Sequence, residues 1–170
     1  VVTDTGSFKY QSTTADTHLM AAHLLKSNVD GYDIQRSIYE QQRIAQIKLL
    51  GKVIMNLQFS EDGRVVWVII EKQMMDEVGA TDDDAGGFTE YLRMIEGIEV
   101  SYMIRIKENH HRINFRSSGN LIINDIAMHF GGGGHKFAAG AKVEGMDTNN
   151  IVTKINSILN KKIMEKFNVN

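Results

Sequence analysis

The sequence predicts an α/β protein whose larger, second part is a mixed β-sheet flanked by helices. Segments such as IEVSYMIRIKE and INFRS alternate apolar and polar residues, which is typical of strands. The segment IVTKINSILNKKIMEKF has the spacing of an amphipathic helix. Some neighbouring strands are joined by short turns, as antiparallel pairs are, and others are separated by helices, as parallel pairs are.

The first third of the chain is predicted to be helical. Thr14 is a suitable N-cap for the helix ADTHLMAAHLLK, which we expect to end near Asn28. Asp33 is the candidate cap of a second helix, roughly 34–50, that is polar on most sides. A long helix with one narrow apolar stripe often connects two packed bodies. The predicted organisation is therefore a first domain over 1–32, a connecting helix over 33–51 and a second domain over 52–170.

The second domain begins with a change of period. VIMNLQF and RVVWVII flank Glu61-Asp62-Gly63, which predicts a hairpin. EKQMMDEVGA and GGFTEYLRMIEG are predicted to be short helices that end at Gly79 and Gly97. A second hairpin around Asn109, a short helix DIAMHF, a last strand near 141–144 and the terminal helix complete the prediction.

The composition excludes several classes of protein. The 170 residues are 42% hydrophobic and include no cysteine, so neither a disulfide framework nor a thiolate metal site is available. No apolar run approaches the roughly 18 residues of a membrane span, and VVTDTGSFKY lacks the features of a signal peptide. We therefore expect a cytoplasmic protein with no membrane partner.

The charges are unevenly distributed, although the net charge is −2. Residues 60–100 contain eleven carboxylates and three Lys or Arg, whereas residues 101–142 contain six Lys or Arg, two carboxylates and four histidines. This difference is either an uneven solvated surface or a local anion site. The acidic segment argues against a long nucleic acid, which requires an extended basic track.

The segment GGGGHKFAAG contains the most unusual pattern in the chain, with glycine at Gly131, Gly132, Gly133 and Gly134. A single glycine would be sufficient to end the preceding helix. A run of four lets successive N–H groups point into one concavity and bind an anion, and a helical turn opened by His135 would add further N–H groups. The alternative is a flexible loop, but the small Ala-Ala-Gly that follows favours close packing.

Two further residues are candidates for a site. Arg116 lies at the end of the strand INFRS, and its planar guanidinium suits a phosphate, although many such arginines are only surface residues. Asp4 follows Val-Val-Thr, which resembles the end of a strand, and is either a turn residue or a metal ligand. The triplet at 82–84 is interpreted as a loop and helix cap rather than a metal cluster.

Taken together, these segments resemble a known family. DTGSFKY followed by TTADTHLMAAHLL is similar to the last metal-ligand motif, and the following helix, of the DHH-type phosphoesterases. DAGGFTEYLRMIEGIEVSYMI, INFRSS and NDIAMHFGGGGHKFAAGAKV resemble the DHHA1 domain found C-terminal in those proteins. The resemblance points to the bifunctional oligoribonuclease/pAp phosphatases, the nanoRNase group. It implies that 1–32 is the remnant of a DHH catalytic domain and 52–170 a DHHA1 substrate-binding domain.

The resemblance also implies roles for individual residues. It assigns substrate contact to Arg116, the Gly131–Gly134 loop and His135, and metal ligation to Asp4. Two divalent metal ions are implied, with manganese expected, and the family's other ligand motifs are absent from this chain. Short oligoribonucleotides, nucleoside 3′,5′-bisphosphates (pAp) and linear or cyclic dinucleotides all suit such a site, and the sequence does not choose among them.

The leading hypothesis is therefore the substrate-binding half of a manganese-dependent phosphoesterase, and a homodimer is compatible with it. The alternative is a non-catalytic DHHA1 module that binds nucleotides or RNA. This chain alone is expected to hydrolyse nothing, because Asp4 by itself does not supply the several ligands that Mn²⁺ requires.

Overall fold

The computed structural model describes residues 1–10 and 12–167 and divides the chain into two units, 1–43 and 44–170. Gln11 and residues 168–170, which the sequence prediction placed in the two domains, lie outside the described residues. Among the residues that are described, no helix combines the length and apolar character needed to cross a bilayer.

The first unit contains two helices, each begun by a side-chain cap. Helix α1 (Ala15–Lys26) starts with a capping box: Thr14 Oγ1 accepts from the N–H of Thr17 at 3.3 Å, and Thr17 Oγ1 accepts from the N–H of Thr14 at 3.2 Å. Helix α2 (Gly31–Tyr39) is capped by Asp30, whose carboxylate accepts from the N–H of Asp33. The predicted cap and end of α1 are confirmed, since Ser27 is its C-cap.

The single connecting helix predicted over 33–51 is wrong. The structure forms α2, ending at Tyr39, and a separate helix α3 (Ile44–Met55), and the cap is Asp30 rather than Asp33. Residues 40–43 include no proline or glycine, the residues from which a break in the helix could have been predicted. The division between the two units falls in this break, while the roles assigned to the three predicted segments stay predictions.

The second unit is built on one six-stranded mixed sheet, as predicted. The strand order is β1-β2-β3-β4-β6-β5; β2 and β3 are parallel, and the other neighbours are antiparallel. The strands are β1 (Gln58–Phe59), β2 (Val65–Ile70), β3 (Val100–Ile106), β4 (His111–Ser117), β5 (Gly133–His135) and β6 (Ala138–Val143).

Helices connect these strands and cover the sheet. The parallel β2–β3 pair is joined through two short helices and a 3₁₀ turn (Asp83–Ala85), as such a pair requires a crossover. The remaining helices are α4 (Lys72–Asp76), α5 (Phe88–Arg93), α6 (Asn124–His129) and α7 (Thr148–Phe167). The triplet at 82–84 therefore lies in a turn, as predicted, but it does not cap α5, whose N-cap is Gly87. The carboxylate of Asp84 accepts instead from the N–H and the hydroxyl of Thr81.

The two predicted hairpins are present, but one strand is shorter than expected. Asp62 and Gly63, the latter with φ +69°, form the first turn, and a four-residue turn joins β3 to β4. In VIMNLQF, however, only Gln58–Phe59 is strand, because residues 53–55 complete α3. An apolar run this short does not by itself distinguish a strand from a buried helix end.

The core lies on both faces of the sheet. On one face, α3 and α5 contribute Leu49, Val53, Phe88 and Leu92 against the even-numbered residues of β2. On the other face, α6 and α7 pack against the odd-numbered residues of β2, β4 and β6 and the even-numbered residues of β3. Strands β2 and β3 are thus buried on both sides, as their burial patterns show. The molecule is a three-layer α/β/α arrangement over these strands.

Strands β4 and β6 are different, because they alternate. In β4, residues 113, 115 and 117 are buried, and in β6, residues 139, 141 and 143 are buried, all on the side of α6 and α7. The residues between them are not buried. One face of this end of the sheet is consequently available to a ligand.

Candidate functional site

The available face is organised in three rows that run across the strands. Directly opposed residues of adjacent strands point to the same face, so the register defines the rows. The Arg116 row consists of Ser101, Arg116, Ala138 and His135; the Asn114 row of Met103, Asn114, Gly140 and Gly133; and the Arg112 row of Arg105, Arg112 and Lys142. Polar and cationic side chains thus surround a floor made of alanine and glycine.

The part of this face over the Asn114 and Arg112 rows forms a shallow depression of about 490 Å³. Its lining includes Arg112, Asn114, Gly132, Gly140 and Lys142. Because Gly140 has no side chain, a ligand can approach the backbone of β6 at the centre of the depression. Residues separated by 26 positions in sequence, such as Asn114 and Gly140, meet here through strand pairing.

The glycine run begins as a helix end. Gly131, with φ +71°, donates its N–H to Met128 O at 3.0 Å, and Gly132 donates to Ala127 O at 2.9 Å. This pair of bonds is the Schellman arrangement that ends α6. Two of the four N–H groups are therefore engaged within the protein. The predicted nest of four successive free N–H groups is wrong for Gly131 and Gly132.

The rest of the run is strand β5 rather than a loop. A Cβ on Gly132 would lie 2.1 Å from Gly140 O, and one on Gly134 would lie 2.6 Å from Ala138 O, so close contact with β6 requires glycine at both positions. Gly133 differs, because a Cβ there would meet no atom within 4 Å. His135 ends β5, which makes the expected helical turn at this residue wrong. The fold explains every glycine of the run except Gly133.

Arg116 is held in place by hydrogen bonds from two of its nitrogens. Its Nε donates to Glu90 Oε1 at 2.5 Å and its Nη1 to Phe115 O at 3.0 Å. Glu90, on α5, also pairs with Arg93 at 3.3 Å. Among the described residues, no hydrogen bond engages Nη2 of Arg116. The half-buried guanidinium is therefore oriented before any ligand binds.

His135 and Arg116 lie in the same row, two strands apart. His135 opposes Ala138, and Ala138 opposes Arg116. The His135 side chain is exposed at the edge of the sheet. The structure thus brings together on one face the predicted residues Arg116, Gly133 and His135.

A second polar cluster was not identified from the sequence. The guanidinium of Arg105, 6% exposed, donates to Asp82 Oδ1 at 3.0 Å and to Asn114 Oδ1 at 3.2 Å, and Lys107 also pairs with Asp82. Burial lowers the pKa of Arg105, and its Nε makes no hydrogen bond to a described residue. Burial alone would raise the pKa of Asp82, but the hydrogen bond from Lys107 and the nearby arginines bring it below its ordinary value. The alternation of cationic and apolar residues in IRIK and RINFR could have predicted that these side chains share one face of the sheet.

Asp4 does not stand in a metal site within the described residues. Residues 2–9 form turns rather than the end of a strand, so that part of the interpretation was wrong. The Asp4 side chain is 90% exposed, and its carboxylate lies 3.9 Å from the terminal amino group. The parts of the chain that the structure describes contain no group of three or more His, Asp or Glu placed to hold an ion. The described residues do not by themselves supply the ligands of a two-metal centre.

A family model and two relatives of similar sequence place the chain in one family. The model of the DHHA1 domain matches residues 62–161. The chain is 30% identical over 147 residues to the bifunctional oligoribonuclease and PAP phosphatase NrnA of Thermus thermophilus, covering 86% of this chain and 44% of that protein. It is 31% identical over 147 residues to the protein of the same name from Bacillus subtilis, covering 86% of this chain and 46% of that protein.

A solved structure shares the fold over nearly the whole chain. An exopolyphosphatase-related protein from Bacteroides fragilis matches with a TM-score of 0.87 and 26% identity, covering 94% of this chain and 47% of that chain. The chain spans less than half the length of these relatives.

Proposed function

Since the chain belongs to the DHHA1 domain family, we propose that its second unit binds the phosphate groups of short oligoribonucleotides or of nucleoside 3′,5′-bisphosphates for a phosphoesterase that hydrolyses them. The names of the two NrnA relatives support this class of substrate. The observation that carries the proposal is the Arg116 row, in which an oriented guanidinium and an exposed imidazole flank a floor without large side chains.

Each residue of the row has a distinct task in the proposal. Arg116 donates from its Nη atoms to phosphate oxygens, in a geometry that a guanidinium makes favourable. Glu90 and Phe115 O position that guanidinium, so less freedom is lost on binding. His135 donates a ring N–H to the ligand from the opposite side. In the neighbouring Asn114 row, Gly133 and Gly140 let the ligand contact the backbone.

We assign the hydrolytic reaction to a longer protein that contains this chain, not to the 170 residues alone. The resemblance suggests two divalent ions, with manganese expected, that would supply an activated water and stabilise the leaving oxygen. Asp4 is the residue of this chain to which that resemblance assigns a metal. Since this chain lacks a fitting centre among its described residues, we expect it to bind ligand and to release no phosphate.

The test is a titration of the 170-residue chain with pAp. Replacing Arg116 with Gln removes a charge-assisted contact and should weaken binding about ten- to a hundredfold, since such contacts contribute roughly 1.5–3 kcal/mol. His135→Ala should give a smaller loss in the same direction. The matched control is Lys161→Gln, an exposed residue of α7 that carries the same charge change. The dissociation constants are measured by calorimetry, with thermal unfolding to verify the fold.

Two results would contradict the proposal. Equal affinity of Arg116→Gln and Lys161→Gln for pAp would remove Arg116 from the site. A longer protein with this chain that binds pAp and oligoribonucleotides but hydrolyses neither would instead be the non-catalytic binding module of the alternative hypothesis.

A further inference from the structure

The Arg112 row is a line of like charges. Arg105 opposes Arg112 across β3 and β4, and Arg112 opposes Lys142 across β4 and β6. Like charges directly opposed on neighbouring strands are destabilising, by roughly 0.2–1 kcal/mol for each pair. The pKa of Arg105 is lowered chiefly by burial, and the charge of Arg112 contributes in the same direction. Of the three cations, only Arg105 is buried and hydrogen-bonded within the fold.

The carboxylates near this row compensate it only in part, chiefly at Arg105, on which Asp82 acts more strongly than Arg112 does. Asp82 pairs with both Arg105 and Lys107, and Lys142 pairs with Glu144 at 2.8 Å. The Lys142–Glu144 pair is more than half exposed on both sides, and such a pair contributes little. The Arg112 side chain is exposed and, over the described ranges, makes no hydrogen bond or ion pair. Two of the cations, Arg112 and Lys142, thus remain available to a ligand.

The row lies beside the ligand floor but apart from Arg116. Arg112 and Lys142 both line the depression, together with Asn114 and Gly140. Arg112 and Arg116 are four residues apart on β4, which corresponds to roughly 13 Å along the strand. Asn114 lies between them and connects the rows, since its Oδ1 accepts from Arg105. A phosphate bound at the Arg116 row leaves the Arg112 row uncompensated, whereas a chain of several phosphates reaches both.

We propose that Arg112 and Lys142 form a second phosphate subsite, which binds an internucleotide phosphate of a short single-stranded oligonucleotide and is left empty by a nucleoside bisphosphate. The inference rests on the proposed function, since it takes the Arg116 row as the first subsite. A positively charged groove that follows the backbone is the general means of binding single strands without reading their sequence. The Arg112 row would therefore select ligands by length.

The experiment compares two ligands and three variants of the 170-residue chain. The ligands are pAp and tetra-adenylate, and the variants are Arg112→Gln/Lys142→Gln, Arg116→Gln and a control, Lys161→Gln/Lys166→Gln, which removes two exposed charges from α7. The Arg112→Gln/Lys142→Gln variant should bind tetra-adenylate at least about tenfold more weakly and pAp within about twofold of wild type. Its slope of log affinity against log salt for tetra-adenylate should decrease by about 1.4, as expected for two lost phosphate contacts.

If Arg112 and Lys142 instead stabilised the fold, their replacement would lower the Tm. Removing the repulsion should leave the Tm of the Arg112→Gln/Lys142→Gln variant unchanged or raise it by up to about 3 °C. The inference is overturned if that variant binds both ligands as wild type does, or loses both equally. Arg116→Gln should weaken the binding of both ligands. If it weakens the binding of neither, the role of Arg116 is wrong. The second subsite is then still supported if Arg112→Gln/Lys142→Gln weakens the binding of tetra-adenylate but not that of pAp. If the wild-type chain binds neither ligand, both proposals fail.

Discussion

The two halves of the sheet differ in how many of their faces are covered by helices. In β2 and β3, nearly every side chain is buried, since helices cover both faces. In β4 and β6, burial alternates, and the free face carries cations, an amide and small residues. The covered half provides stability, and in the proposed function the open half provides the contacts to the ligand. Substitutions in the two halves should therefore affect different measurements, which gives direct ways to test the comparison.

The largest expected effect is on stability, from the covered half. Ile104 is completely buried in β3, and Ile104→Ala should lower the free energy of unfolding by about 2–5 kcal/mol through lost contacts and a cavity. Urea denaturation measures the change. The control is Ile122→Ala, at a position that is 45% exposed and should cost far less. Equal costs at the two positions would show that β3 is not the stabilising centre. Binding of pAp per folded molecule should be unchanged.

The next effect distinguishes two adjacent glycines of the open half. Gly132→Ala forces a methyl group against Gly140 O and should destabilise the protein by roughly 1–3 kcal/mol. Gly133→Ala meets no atom and should leave the stability unchanged or slightly raised. If Gly133 admits the ligand to the backbone, Gly133→Ala should nevertheless weaken pAp binding. Thermal unfolding and calorimetry separate the two effects; a stable Gly133→Ala variant with wild-type affinity would show that β5 is only a connection.

The sequence was sufficient to predict the parts of this comparison that depend on local pattern. Alternation in IEVSYMIRIKE and INFRS identified β3 and β4 and placed Arg116 near a strand end. A glycine after DIAMHF indicated the end of α6. These signals need only a few neighbouring residues, so they do not depend on tertiary contacts.

The parts that were missed depend on register between distant segments. Lys142 faces Arg112 only because β6 pairs with β4 in one alignment, and no local feature fixes that alignment. Gly132 needs to be glycine because of Gly140, which follows after a hairpin. The run therefore appeared to be a nest when most of it serves packing. Gly133, which belongs to the same run, has no steric need for glycine.

The smallest expected effect concerns acid. The folded-state pKa of Asp82 is lowered, so its stabilising contribution is complete above the ordinary value of about 4 and is lost as the pH falls through the lower folded value. Asp82→Asn should therefore lose less stability than wild type between about pH 5 and pH 3. The difference should be below about 1 kcal/mol, since this side chain is 41% exposed. Urea denaturation at several pH values measures this difference, with Glu165→Gln on α7 as the control. If the free energy of unfolding changes with pH equally in wild type and Asp82→Asn, the ion pair of Asp82 does not contribute to stability.

The position of β5 at the edge of the sheet affects how often this strand opens. This three-residue strand pairs with β6 and contributes two glycines and one exposed imidazole, so little apolar contact holds it. Elements with few buried contacts open locally at low free energy, without unfolding of the whole domain. The amide hydrogens of β5 should accordingly exchange with solvent long before those of β3. On the proposed function, a phosphate bound by His135 would hold this edge, so β5 would become rigid only when the ligand is bound.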